Sequence, residues 1–464
     1  MRYNCNISFK NKKNAMKVYD VIVIGTGASG MPAAYGCAGA GMKVAVIDSR
    51  PFGGTCALRG CDPKKVLIGF SELVDCYDRL NGKGISADNL KINWNAMMKF
   101  KRTFTGPVPE NRDKGFKEAG IDTYSGRARF TSKDAVEIGG TGLKAKYFML
   151  GAGAKPMKLG IPGEEYVKIS DDFLEMDELA EKVVFLGGGY ISFEFAGIAK
   201  KAGSDVTIIQ RSPKALKRFD KDVVKWVTAS INDAGIKILL NTNPLSVEKK
   251  GGNYVVHTSG EAGDLQIEAG LVVHGAGREP DIEDMELDIA GVNYDKKGIA
   301  VNEYLQSVSN PFVYAAGDCA ATKGYPLTPV AYLEGGIAAY NIINGNKKKP
   351  DYAGMPNVVF TLPPMAFVGL TEEEALSAGY KFRVNMEETS EWYSSKRIGE
   401  KHSGFKILIE EGTGRIIGAH LLGTNAEEVI NIFALAIRNN LTAPALKDAI
   451  YTYPTKTSDI SDML

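Results

Sequence analysis

The chain has little histidine. Among 464 residues only His257, His274, His402 and His420 carry an imidazole, and none lies near the C-terminus. The side chain best suited to move protons at neutral pH is therefore absent from the last part of the chain. Long apolar runs are also missing; none reaches the roughly 20 residues that a membrane-spanning helix needs, so no membrane partner is expected. Charge imbalance is absent too. Fifty-six Lys and Arg face 55 Asp and Glu, for a net charge of +1. That removes the electrostatic case for nucleic acid or an anionic surface. Six cysteines at scattered positions do not make a disulfide framework. A cytoplasmic, reducing compartment is expected, where a disulfide is catalytic rather than structural. Residues 1–16 are rich in Asn and Lys and lack the apolar core of a signal peptide. They read as a disordered extension, and Met16 is an alternative start.

What is present is globular: 44% hydrophobic and 24% charged residues, in a length that suits two to four domains. Glycine is abundant, with 52 residues, which fits several tight phosphate turns. The stretch Gly53-Gly54-Thr55-Cys56-Ala57-Leu58-Arg59-Gly60-Cys61-Asp62-Pro63-Lys64-Lys65 holds two cysteines five positions apart. Five residues of regular helix rise about 7.5 Å, and a disulfide wants Cα atoms roughly 4.4–6.8 Å apart. Cys56 and Cys61 can bridge only across an irregular turn, which Gly60 and Pro63 suit. Proline is tolerated in the first turn of a following helix. Helix-start N–H groups there would stabilise a thiolate. Two inert, buried cysteines are the plainer reading; position argues against it.

That position follows a βαβ unit. Val18 to Ile24 is apolar except for Asp20, as in a buried parallel strand. Gly25-Thr26-Gly27-Ala28-Ser29-Gly30 follows, then a small-residue helix to about Gly41, then a strand from Lys43 to Ile47. Gly25 makes the turn, Gly27 lets a pyrophosphate approach the backbone, and Gly30 lets the helix pack on the strand. Asp48 is placed to accept from an adenosine ribose. Residues 66–130 read as helices with a loop near 81–89.

Val183 to Leu186 begins a second such unit with Gly187-Gly188-Gly189-Tyr190-Ile191-Ser192, and Val206 to Ile209 is its second strand. Gly25 to Asp48 and Gly187 to Gln210 are both 23 residues apart. Gln210 thus stands where an NAD-binding unit carries an acid, and Arg211, Lys214, Lys217 and Arg218 follow. A missing carboxylate beside a basic cluster suits a 2′-phosphate, hence NADPH before NADH; a solvated basic loop is the bland alternative. Two units imply two nucleotides. The fold class expected is α/β, with two Rossmann-type domains and a C-terminal α+β domain.

The cysteine stretch resembles the redox-active disulfide of the FAD-dependent pyridine nucleotide-disulfide oxidoreductases, whose form is G-G-T-C-x4-C-x-P-[STK]-K. The family includes glutathione reductase, dihydrolipoyl dehydrogenase and mercuric reductase. The resemblance runs from about residue 17 to the end. It takes in Tyr147 to Gly153, the turn Gly275-Ala276-Gly277-Arg278-Glu279-Pro280, the Gly317-Asp318 pair and Leu327-Thr328-Pro329-Val330-Ala331. It implies FAD on 17–155, with Gly54 and Thr55 in the disulfide motif, and on 281–349, where Asp318 binds the ribityl chain and Ala331 passes the flavin ring. It implies a nicotinamide nucleotide on 156–280 and a dimerisation domain over 350–464, hence a homodimer. Strands are expected at 358–362, 405–410 and 415–420, with an amphipathic helix from Ala426 to Asn439. By resemblance Cys61 sits against the flavin and Cys56 exchanges with the acceptor. Lys65 and Glu194 take the lysine–glutamate positions beside the flavin, and Tyr190 covers the nicotinamide pocket.

One departure bears on the acceptor. Where glutathione reductase carries His-Pro-Thr with a Glu five residues after the His, this chain has Tyr453-Pro454-Thr455 and Ser458. Tyrosine titrates near ~10 against ~6.5 for histidine, so it is a poor base but a usable proton donor. Mercuric reductases also use tyrosine but add a C-terminal cysteine pair and often an N-terminal metal-binding module, neither of which is found here. The expected acceptor is a small disulfide or oxidised thiol. The rivals are a metal-ion reductase of mercuric type, a dihydrolipoyl dehydrogenase-like enzyme, and a low-turnover FAD redox sensor.

Overall fold

The computed structural model describes residues 16–87, 90–261 and 263–464. The expected disordered extension, apart from Met16, lies outside the described residues, as does part of the 81–89 loop. Strand Lys17–Ile24 is buried over its last four residues. It pairs in parallel with Val44–Asp48 on one side and Thr141–Leu150 on the other. Burial on both faces is why this strand is a continuous apolar run rather than an alternating one. Asp122–Ser125 extends one edge. On the other side, Ala135–Ile138 and Arg129–Ser132 add antiparallel strands. Val313–Ala315 returns much later in the chain to pair with Phe148, Met149 and Leu150.

A second sheet is wholly parallel. Its order is Ile236–Leu239, Asp205–Ile209, Lys182–Leu186, Leu271–His274. The chain passes between the two units twice, and the passages pair as Ala154–Pro156 with Arg278–Pro280. The C-terminal sheet is antiparallel, in the order Asn357–Val359, Met365–Gly369, Ile416–Leu422, Gly404–Glu410, Phe382–Glu388. Helix Ala426–Arg438 lays Val429, Ile430 and Phe433 on it. Among the described residues, no helix is long and apolar enough to cross a membrane.

The reading of 66–130 as helical holds only to Glu118. Asp122–Ser125 and Arg129–Ser132 are four-residue strands rich in polar residues, too short to show a period of two. The C-terminal sheet has two strands beyond those expected. Met365–Gly369 is short and wholly apolar until its glycine, and Phe382–Glu388 is a mostly exposed edge.

Helix Cys61–Leu80 fixes the site. It belongs in sequence to the first unit, but Leu67 and Ile68 sit in one buried cluster with Phe185, Phe193 and Phe195 of the second. Phe195 also stacks on Phe173 with centroids 4.5 Å apart. A single helix thus spans the two units and holds their spacing.

Helix Thr328–Asn344 crosses helix Gly30–Gly39 with no room to spare. A Cβ at Gly335 would fall 2.0 Å from the Ser29 carbonyl oxygen. Gly335→Ala is therefore expected to part the two helices, at a cost of about 1–3 kcal/mol. The checks are a lowered melting temperature and a reduced flavin-to-protein ratio after purification.

Candidate active site

Helix Gly54–Arg59 ends at Gly60, whose φ of −142° and ψ of −116° lie outside any helix. A Cβ on Gly60 would come 2.8 Å from the Thr55 carbonyl oxygen, so glycine is required. The next helix starts at Cys61, with Pro63 in its first turn. This break is the irregular turn that lets two cysteines five residues apart meet. Both are thiols here.

The two thiols are not equivalent. The hydrogen bond with Cys56 pulls the Cys61 thiol down to about 6; the Thr328 hydroxyl and the Lys64 ammonium help, while burial and Glu194 oppose. Thr328 Oγ1 stands 3.3 Å from Cys61 Sγ. The same shared hydrogen bond, then burial, pushes Cys56 far up. Asp62 Oδ1 lies 3.8 Å from Cys56 Sγ. The surroundings favour the thiolate at Cys61 over Cys56.

Both cysteines line one cleft of about 1580 Å³ that runs along both glycine turns. It brings together Gly25, Gly27, Asp48, Gly54, Thr55, Gly153, Gly187, Gly189, Tyr190, Glu194, Arg211, Lys217, Gly277, Arg278, Gly317, Asp318 and Ala331. Gly30 stands behind the first turn, where a Cβ would meet the Gly25 carbonyl oxygen at 1.9 Å.

The cleft fits a dinucleotide at each turn. Gly54 has φ +71°, and a Cβ there would fall 2.3 Å from Gly27 Cα, so the cysteine loop lies directly on the first turn. Asp48 accepts the Thr26 amide at 2.8 Å and its hydroxyl at 2.6 Å. That hydroxyl oxygen in turn accepts the Gly53 amide at 3.1 Å. The acid is thereby tied to the cysteine loop. Burial pushes the Asp318 carboxyl up, against the pull of Arg278 and Arg218. At the second turn, Gln210 Oε1 accepts the Gly188 amide at 2.8 Å. Its Nε2 donates to Ser212 Oγ and to the Lys214 carbonyl. Arg211, Lys217 and Arg218 are exposed beside it, and among the described residues none has a carboxylate within ion-pair distance.

One expected residue is displaced. Lys65 does not pair with Glu194. Its Nζ bonds Glu72 Oε1 at 2.7 Å on the half-exposed side of the helix. Lys64 donates to Glu194 Oε1 at 2.8 Å, and Glu194 is 2% exposed. Both ammoniums lie 4.5 Å over the Phe360 ring, but only Lys64 lines the cleft. Glu194 also accepts the Phe360 amide at 3.0 Å. Sequence reasoning missed Phe360 and Glu334. The buried Glu334 accepts the Gly317 amide, the Thr322 hydroxyl and the Tyr352 hydroxyl, which sets the Gly317–Asp318 turn.

His274 lines the cleft but is no proton shuttle. Its Nδ1 accepts the Ala276 amide at 3.3 Å and its Nε2 donates to the Met157 carbonyl at 2.7 Å. Tyr453 is not brought to the cysteines within this chain. It is 80% exposed and lines a separate hollow of about 330 Å³ with Trp392, Arg397 and Asp459. Among the described residues lining the main cleft, none lies beyond Phe360. Ser458, at the expected Glu position, donates to the Thr455 carbonyl at 2.6 Å.

Two dinucleotide units facing a dithiol across one cleft define a two-nucleotide dithiol oxidoreductase. Comparison with known proteins narrows this. Residues 19–335 match the pyridine nucleotide-disulphide oxidoreductase family, and residues 355–464 match its dimerisation domain. The chain belongs to that family, whose members are flavoprotein enzymes that use a nicotinamide nucleotide. It is 31% identical to a mercuric reductase of Staphylococcus aureus over 94% of this chain and 80% of that one. It is 31% identical to a dihydrolipoyl dehydrogenase of Chlamydia muridarum, over 95% and 94%, and 30% identical to a glutathione reductase of Nostoc, over 96% and 99%.

Because the Cys61 thiol is depressed, its thiolate persists above pH about 6 and is lost as pH falls through that value. Ultraviolet thiolate absorbance of the reduced protein should show that midpoint, with no second thiolate from Cys56 before the alkaline range. Thr328→Val and Lys64→Met should each move the midpoint up by roughly one unit. A midpoint unmoved in both variants would show that neither group supports the thiolate.

Proposed function

We propose that the chain is a homodimeric, NADPH-dependent reductase of a small disulfide or oxidised-thiol acceptor. The observation that carries this is the Cys56 and Cys61 thiol pair, set across the Gly60 break in a cleft shared by both nucleotide turns. FAD, held at the first turn by Gly25, Gly27, Asp48 and Asp318, supplies the coupling between two-electron hydride donation and the dithiol. Gly187, Gly189, Arg211 and Lys217 hold NADPH at the second turn. Tyr190, half exposed in the cleft, covers the nicotinamide end, and the Lys64–Glu194 pair keeps a fixed cation beside Cys61.

The dithiol's own chemistry balances without a further reagent. Cys56 gives its proton to Cys61 and its sulfur attacks one sulfur of the acceptor, forming a mixed disulfide and releasing a thiolate. Cys61 gives that proton up to the first departing thiolate, and the Cys61 thiolate so formed attacks Cys56 Sγ and releases the second thiolate. The acceptor has gained two electrons, and Cys56 and Cys61 have become a disulfide. The proton transfer needs a group between the two sulfurs that donates to the leaving thiolate and recovers the proton from Cys61. We assign that role to the hydroxyl of Tyr453 of the partner subunit. Exposed Leu435, Ile450 and Tyr393 in the C-terminal domain are apolar surface that a second copy would cover.

The absence of imidazole favours one second reading. With tyrosine in place of histidine, acceptors that need little acid catalysis gain, and a metal ion bound as thiolates is one. The deciding experiment is NADPH oxidation against glutathione disulfide, cystine, lipoamide, low-pKa aromatic disulfides and Hg(II). Fast turnover with a disulfide supports the proposal, and turnover with Hg(II) alone selects the metal reading. No turnover with any of them, flavin being bound, means a sensor.

Two outcomes are expected of variants. Replacing Arg211 and Lys217 by neutral residues should raise the KM for NADPH at least tenfold while changing that for NADH little; wild-type preference for NADH would overturn the cofactor assignment. Tyr453→Phe should lower kcat with the best acceptor by roughly 10²-fold and leave flavin reduction by NADPH intact. Unchanged turnover would remove the hydroxyl from the chemistry.

A further inference from the structure

The cations of the second nucleotide turn sit on a segment held from two sides. From the turn side, the Leu216 amide donates to the Gly188 carbonyl at 2.9 Å. Leu216 does so at φ +46°, a left-handed conformation that costs a non-glycine residue energy. Something else must keep it there. The segment ends at Asp220, which caps helix Lys221–Asp233 through the Asp222 amide at 3.0 Å. Asp220 is 3% exposed, and so is almost wholly removed from water.

The other hold comes from the C-terminal domain. Lys406, on the strand Gly404–Glu410, is 1% exposed. Its ammonium reaches both Asp220 oxygens at 3.0 Å, Asp222 at 2.5 Å and Glu372 at 2.6 Å. Next to it, Phe219 meets Phe367 edge-on with centroids 4.8 Å apart. Lys214 reaches Glu373 at 3.1 Å. Three successive anchors thus fasten the segment carrying Arg211, Lys217 and Arg218 to a domain that lines the main cleft only through residues 356–360.

We propose that Lys406 is a positioning residue for the nicotinamide nucleotide: through Asp220 it sets where Lys217 and Arg218 stand, and so the affinity for a 2′-phosphate. This rests on the NADPH reading above. A buried ammonium with three carboxylates cannot lose its charge quietly. Without it the acids repel each other, and Asp220 is the one joined directly to the cation segment. Affinity for a phosphate then falls because the cations must be ordered at binding rather than beforehand.

The test is the dissociation constant of 2′,5′-ADP, a probe that needs no turnover, measured on the flavin-loaded protein beside 5′-AMP. Wild type should bind 2′,5′-ADP the more tightly. Lys406→Met should weaken 2′,5′-ADP by roughly tenfold, leave 5′-AMP within about twofold, and raise the KM for NADPH with kcat unchanged. Asp220→Asn keeps the helix cap and leaves Lys406 two carboxylates, so it folds if Lys406→Met does not; the same selective loss is expected. The Cys61 thiolate titration should not move in either. A folded variant with lower melting temperature but unchanged preference for 2′,5′-ADP makes Lys406 a fastener only and overturns the proposal. Equal binding of the two probes by wild type overturns the NADPH reading, and the proposal with it.

Discussion

Everything chemical in this molecule depends on a helix being interrupted for one residue, at Gly60, between two cysteines that line the same cleft. A continuous helix would carry Cys56 and Cys61 past one another, five residues and about 7.5 Å apart. Gly60 takes a conformation outside the helix and passes within 2.8 Å of the Thr55 carbonyl, counted from where a side chain would begin. The second helix then starts on Cys61 itself. The Thr328 hydroxyl stands 3.3 Å from the Cys61 sulfur, and the Lys64 ammonium adds its charge nearby. The different surroundings of the two thiols are a consequence of that geometry. They do not need two different kinds of residue.

The helix then does mechanical work. Its first turn belongs to the thiols and its second to the core of the other nucleotide unit, through Leu67 and Ile68. Lys64, between them, meets Glu194, which stands on the helix Tyr190–Lys201 of that second unit. A pair 130 residues apart in sequence is thereby held at 2.8 Å. The two nucleotide turns keep a fixed relation to the thiols because one rigid rod carries both contacts.

The parts of the fold that were legible are those written in consecutive residues. A glycine turn between an apolar strand and a small-residue helix is local, and both such turns were readable together with Asp48 and Gln210. The dithiol loop was readable for the same reason. Lys64 was not, because nothing in Pro63-Lys64-Lys65 says which ammonium faces the cleft. The helix phase decides it, and that phase is fixed by Glu194 on one side and Glu72 on the other. Glu334 was missed because its three donors, Gly317, Thr322 and Tyr352, come from separate segments. Short strands such as Asp122–Ser125 take their structure from the neighbour they pair with, Val44–Asp48, and their own side chains carry little of the signal.

The two glycine turns also explain why the second carries a glutamine and not simply any neutral residue. Asp48 has an inward task as well as an outward one: it accepts the amide of Thr26, the residue after Gly25. Gln210 does the same for Gly188, the residue after Gly187, at the same 2.8 Å. An alanine there would leave that buried amide unpaired, at a cost of about 1–3 kcal/mol. Glutamine keeps the turn closed and removes the negative charge. Its amide nitrogen is already committed to Ser212 and Lys214, so it orders the start of the basic segment as well. One side chain thus closes the turn, brings no charge to it, and ties down the start of the basic segment.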